Sequence, residues 1–204
     1  MLDYTKTRNR DRGFTVLELV IVVAVALVLA AIAVPRVMSI VSDVSLRYAA
    51  TDMSGLLQTA RIQAIKKNTF YGIQPTVLSN NATGYYVNVQ PGGTYVVGDP
   101  LIPIDQPVTI SQGTGAGAPG EAGFEAGLGY GFAAAAVVPS FNARGLPCSP
   151  GGVGICPQNA GVGFIIFMKR TGNIGDDHWA AVVVTPSGRA QVWTCDTAGN
   201  WVQR

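Results

Sequence analysis

The chain has 204 residues, 48% of them hydrophobic and only 13% charged, with a formal net charge of +2. That length holds one ordinary domain plus an apolar segment. From Asn68 to Arg204 five basic and seven acidic residues leave −2, which excludes the basic footprint of a strong nucleic-acid binder, and a single histidine with no Cys-x-x-Cys spacing argues against a zinc site.

Residues 1–13 form a short leader with no packing pattern, carrying Lys6, Arg8, Arg10 and Arg12 against two acids. Without it the chain is formally neutral, with ten basic and ten acidic residues. From Phe14 to Val34 the only charge is Glu18. A helix over these residues spans roughly 30 Å, one bilayer core, and its basic flank is expected to stay in the cytoplasm. A carboxylate inside such a span costs about 2.5–3.5 kcal/mol and needs a partner. Cleavage between Gly13 and Phe14 would supply one, because the new α-amino group lies one helical turn from Glu18. Two plainer readings stand beside this one. A simple single-pass anchor requires neither the Gly-Phe junction nor Glu18. A secretory signal peptide would be cut at Ala31-Ile32-Ala33, with Glu18 awkwardly inside its apolar core.

The helical pattern continues to about Lys67, some 80 Å if unbroken. Pro35 lacks an N–H and clashes with the preceding turn, so a kink or local break is expected there. Beyond it, apolar residues recur every three or four positions from Val37 to Ile65, including Leu46, Ala50, Met53, Leu57, Ala60 and Ala64. After about Leu46 this stripe is expected to pack on the chain's own sheet. Before Leu46 it is expected to pack on other subunits.

From Asn68 the pattern turns to β. Strands are predicted over Phe70–Val77, Tyr85–Val89 and Tyr95–Val97, with turns at Asn80-Asn81 and Pro91-Gly92-Gly93. Gln106–Ile110 is a candidate fourth strand and Ala133–Val138 with Phe141 another. Ser111 to Gly131, rich in Gly and Ala, is read as a flexible surface loop, since it lacks the Lys-Ser/Thr ending of a phosphate-binding loop. Gly163–Lys169, Trp179–Thr185 and Arg189–Thr194 are predicted strands, the last two joined by a tight turn at Pro186-Ser187-Gly188. A disulfide between Cys148 and Cys156 is expected if the domain lies outside the cytoplasm, with Cys195 left as a thiol; a bridge from Cys195 to either remains the alternative. Asp176-Asp177-His178 reads as a solvated turn before a strand and not as a catalytic cluster. Trp179, Trp193 and Trp201 read as sheet-packing residues. No catalytic set and no cofactor site is evident.

A basic leader ending in Gly13, then Phe14-Thr15-Val16-Leu17-Glu18 and an apolar helix, resembles the class III signal of type IV pilins and pseudopilins. The resemblance implies that a prepilin peptidase cuts after Gly13 and N-methylates Phe14. It implies that Glu18 pairs with the terminal amine of an adjacent subunit during filament assembly, and that Pro35 is the helix-kink proline. The run Ala60-Arg61-Ile62-Gln63-Ala64-Ile65-Lys66-Lys67-Asn68, and the hairpin tip Ser187-Gly188-Arg189, are similar to the GspH/FimT group of minor pseudopilins. A charged amphipathic helix end is the plainer reading of the first.

The fold implied is α+β and pilin-like, a long N-terminal transmembrane and amphipathic helix packed on an antiparallel β-sheet domain. Its expected divisions are a leader 1–13, a helix 14–67 crossing the membrane over 14–34, and a periplasmic globular domain 68–204. The implied function is non-enzymatic: a minor pseudopilin of a type II protein secretion system, anchored in the inner membrane. Its partners would be the prepilin peptidase, other pseudopilins or pilins, and the inner-membrane assembly platform. The alternative is a minor type IV pilin acting in pilus assembly, adhesion or DNA uptake. For DNA contact Arg189 matches the first basic position of a Gly-Arg-x-Arg pattern, whereas Gln191 departs from the second. A membrane-anchored enzyme would need a site hidden in 69–177.

Overall fold

The structure is a computed structural model that describes residues 15–79, 82–90, 93–104, 108–135, 137–150, 156, 162–171, 177–196 and 198–204. The leader, Gly13, Phe14, the Asn80-Asn81 turn, Pro91-Gly92, Gln106, Asp176 and most of the loop between Cys148 and Cys156 lie outside the described residues.

Helix α1 (Val16–Lys67) begins at Thr15, whose hydroxyl accepts the Glu18 N–H at 3.2 Å and so satisfies one of the orphan donors of the first turn. The helix continues without a break through Pro35. Proline removes one i→i−4 bond, and the turns on either side carry the helix across that single loss. It ends at Asn68, which takes the left-handed conformation at φ 50°. The Asn68 and Thr69 N–H groups bond back to the Ile65 and Ala64 carbonyls, a Schellman closure that Asn tolerates well.

The described chain divides between Met38 and Ser39 into two compact units. In the first, residues 16–34 are exposed along the whole helix. In the second, α1 packs on sheets. Leu46, Ala50, Met53, Leu57, Ala60 and Ala64, spaced alternately by four and three, are buried to 1% exposure or less. Val37, Val41 and Val44 stay exposed, and so does Ile65.

Among the described residues eleven strands build two sheets. One has the order β3-β2-β1-β6-β7, from β1 (Tyr71–Val77), β2 (Thr83–Val89), β3 (Leu101–Pro103), β6 (Ser140–Phe141) and β7 (Pro147–Cys148). The other has the order β11-β10-β9-β8-β4, from β4 (Val108–Gln112), β8 (Val162–Thr171), β9 (Asp177–Val184), β10 (Ala190–Cys195) and β11 (Trp201–Gln203). Every pairing within these orders is antiparallel; β5 (Gly131–Phe132) adds a short parallel pairing to β8.

Strands β8 and β9 are covered on both faces, which is why they read as unbroken apolar runs. Phe164, Ile166, Met168, Ala180, Val182 and Val184 face the core that α1 closes. Ile165, Phe167, Trp179, Ala181 and Val183 face a second core on the opposite side. That second core is closed by α2 (Glu121–Leu128), through Phe124 and Leu128, and by Trp193 and Trp201.

Four local expectations are corrected here. Residues 111–131 are not a flexible loop: the end of β4 leads into an ordered strap and then a helix, because Phe124 and Leu128, one turn apart, give an otherwise glycine-rich stretch a face to bury. Tyr95–Val97 forms no strand; the segment folds back as a turn in which the Val96 N–H and the Asn88 side chain both donate to Asp99. The described residues of 133–138 lie outside any strand, so only Ser140–Phe141 pairs there. Asp177 and His178 belong to β9 and not to a turn before it: Asp177 meets Lys169 at 2.7 Å across β8 and β9.

Candidate functional site

The determinants that the sequence points to are distributed along the chain. Glu18 lies in the first turn of α1, exposed, at the third helical position after the Thr15 cap. Thr15-x-x-Glu18 is a capping-box spacing, a local signal that assigns Thr15 a job the sequence reading left out. A carboxylate here also sits at the positive end of the helix dipole. Gly13 and Phe14 lie outside the described residues. Among the described residues α1 is a helix long and apolar enough to cross a membrane, with a window of mean hydropathy 3.0. It fits a single-pass membrane anchor.

In the globular unit the two segments that carry the second resemblance come together. Arg61, on α1, reaches the hairpin tip 126 residues later: its guanidinium donates to the Ser187 carbonyl at 3.3 Å and to the Gly145 carbonyl at 3.0 Å. One cation thus ties the helix to the 142–146 and 185–189 turns. Both turns need glycine at the junction. Gly145 and Gly188 hold φ of 73° and 81°. A Cβ on Gly188 would collide with the Gly145 carbonyl oxygen, and one on Gly145 would lie 2.7 Å from Ile65 and 3.0 Å from Arg61. The turns carry Arg144 and Arg189, both exposed, and Lys66 and Lys67 at the helix end are exposed too. Arg189 sits beside this clamp and is not part of it. Gln191 lies within β10.

Cys148 and Cys156 are joined by a disulfide, with Cα atoms 5.4 Å apart, and Cys195 is free. Cys195 ends β10; burial, then the negative charge of Asp196, raises its thiol above the ordinary value. It borders a polar cleft where α1 meets the β10 and β11 ends, with Asp43, Arg47, His178 and Arg204. Arg47 and Asp43 pair at 2.7 Å, and His178 Nδ1 lies 3.8 Å from Asp43. Arg204 donates to the Thr194 hydroxyl. Arg47 and Asp43 pair within α1 and Arg204 and Thr194 within the sheet, so these side chains are paired locally and do not converge on a reacting atom. Among the described residues no group of three or more His, Cys, Asp or Glu side chains could hold a metal ion. Trp179 is buried, and Trp193 and Trp201 pack on the same second core, in keeping with a packing role.

A family model described as the prokaryotic N-terminal methylation motif matches residues 8–34. The match supports a type IV pilin-like protein. That family is structural and not enzymatic, and the motif implies processing by a prepilin peptidase and filament assembly in general terms. No curated protein and no solved structure matches the chain. The matched segment takes in residues 8–13 of the leader, the Gly13-Phe14 junction, Glu18 and the apolar run; the β-rich remainder lies outside it.

Proposed function

We propose that this pilin-like chain is an H-type minor pseudopilin, cut after Gly13, methylated on Phe14 and built into the periplasmic pseudopilus of a type II secretion system. One observation carries the finer assignment. Arg61 of the Ala-Arg-x-x-Ala-Ile segment bonds to the Ser187 carbonyl of the Ser-Gly-Arg hairpin tip, so two stretches that resemble the same group form one structural unit. In this reading the apolar helix anchors the precursor and is then buried in the filament, where Glu18 meets the terminal amine of a neighbour. Function follows from assembly: filament growth moves secreted proteins outward.

The deciding experiment is the intact mass and N-terminal sequence of the protein matured in its native membrane. The expected result is a chain beginning at Phe14 with one added methyl group. A chain beginning at Val34, or one that retains Met1, would remove the filament mechanism. Which machine it serves is tested by co-purification with secretion-system pseudopilins.

A second reading, a minor type IV pilin that captures DNA, is favoured by one feature: Arg144 and Arg189 stand exposed on touching turns, with Lys66 and Lys67 exposed at the adjoining helix end. Four phosphate contacts would make affinity fall steeply with salt. Duplex binding by the full chain that is lost in Arg144→Ala/Arg189→Ala would favour this reading; no binding at low salt would end it.

A further inference from the structure

Residues 113–120 cross one face of the second sheet. They leave the end of edge strand β4, where the Gly113 N–H bonds to the Ile165 carbonyl. They finish beside β11, at the opposite edge, where the Pro119 carbonyl accepts the Trp201 indole N–H at 2.8 Å. Ala118 is buried on the way, and Ala116 packs on the same core, above Ile165, Phe167 and Trp179. The segment is rich in left-handed glycine, at Gly113, Gly115, Gly117 and Gly120, so little in its own backbone preference keeps it in place. Its peptide groups instead converge on one side chain. The Gly115 and Ala116 N–H groups donate to Glu121 Oε1 at 2.5 and 3.0 Å, and those of Gly117 and Ala118 donate to Oε2 at 2.7 and 3.1 Å. A carboxylate accepts all four; a neutral carboxyl gives up one acceptor and brings a proton where a donor already points.

We propose that residues 113–120 are a strap latched by the Glu121 carboxylate, and that acid releases it and uncovers the tryptophan-lined core beneath. Glu125 is the acidic neighbour of Glu121 on α2, and the Cys195 thiol and Asp196 lie at the β10 end near Pro119. The side chains of β8 and β9 beneath the strap are Ile165, Phe167, Trp179, Ala181 and Val183, none of which titrates. Burial opposes the Glu121 charge, but the N–H groups of Ala116, Gly115, Ala118 and Gly117 outweigh it and hold the carboxyl below its ordinary value. Burial, then the charge of Glu121 and a hydrogen bond with its carboxylate, raise Glu125. As pH falls Glu125 therefore neutralises first and Glu121 afterwards. A lowered native value means that the latch stabilises the closed strap above the ordinary Glu range and loses that contribution as pH drops through the native value.

The experiment is amide hydrogen exchange on the full chain in detergent micelles, corrected for intrinsic rates, between about pH 7 and about pH 2.5, with tryptophan quenching by acrylamide alongside. All three tryptophans of the chain, Trp179, Trp193 and Trp201, line the covered core, so quenching reports its opening. At neutral pH amides 115–118 should be protected. In acid they should lose at least about tenfold in protection while β8 and β9 stay protected, and quenching should rise. Glu121→Gln should show the open pattern at every pH, and Glu125→Gln should keep the wild-type transition. Protection at 115–118 that persists in acid, or that disappears only together with β8 and β9, overturns the latch. So does a Glu121→Gln chain with wild-type protection, or loss of the transition in Glu125→Gln. If Glu121→Gln does not fold, the wild-type series decides alone.

Discussion

At the residue scale two charged side chains, Arg61 and Glu121, each bind several backbone groups. Arg61 is the clearest: its two acceptors are carbonyls on separate turns. Charged hydrogen bonds of this kind contribute about 1.5–3 kcal/mol each, and the partly exposed setting places Arg61→Ala at the low end, roughly 1.5–2 kcal/mol destabilised. Gly188→Ala meets both a positive φ and the Gly145 carbonyl, so it should cost at least about as much. Urea unfolding of the two variants beside wild type checks both, and a Gly188→Ala midpoint equal to wild type would contradict the clamp geometry. Cys195 gives a chemical prediction. Burial and then the Asp196 charge keep its thiol protonated, so alkylation by iodoacetamide should be slow at neutral pH and accelerate only well into alkaline pH. Fast neutral labelling of native protein would contradict it. The Glu121 latch belongs to this scale as well, with its contribution lost on acidification.

At the element scale α1 does two kinds of work with one continuous backbone. Its second half is held by the stripe from Leu46 to Ala64, and Leu57 within it is fully buried. Truncating a buried leucine removes transfer energy and leaves a cavity, so Leu57→Ala should lower stability by about 2–5 kcal/mol. The matching change at Val41, which is exposed, should alter the unfolding of the isolated subunit by less than about 0.5 kcal/mol. Equal losses at the two sites, read from denaturant midpoints, would show that the buried stripe is not what joins helix to sheet. Helix α2 is the opposite case. Eight residues with two glycines have little intrinsic helicity. Phe124 holds it, stacked 4.5 Å from the Trp201 ring and edge-on to Trp193 at 5.2 Å.

At the scale of the whole molecule the β-rich unit buries its core against its own α1 segment, whereas residues 16–34 leave a long apolar helix exposed. An exposed apolar helix of that length calls for lipid or for other helices. The functional prediction lives here. Glu18→Ala should leave processing at Gly13-Phe14 intact and impair incorporation into filaments, since the change removes a charge without touching the cleavage junction. The checks are the mature N-terminus and the amount of variant co-assembled in sheared filaments. A variant that assembles at the wild-type level would sink the pairing role.

The anchor, the long helix, its buried stripe and the strands of the C-terminal third were legible in the sequence, because each is a local pattern with its own period. Glu18 stood out because a lone carboxylate in an apolar run is costly anywhere. Three features depended on tertiary contact. Residues 111–131 read as a loop because glycine dilutes the helical signal, and only the second core beneath Phe124 gives that face somewhere to go. Tyr95–Val97 has strand-like residues but pairs with no strand among the described residues, since Asp99 turns the segment back on Asn88. Arg61 reads as an ordinary charge on a helix end; its partners are carbonyls, which carry no side-chain signature, and they come within reach only when the sheet brings Gly145 and Ser187 to the end of α1.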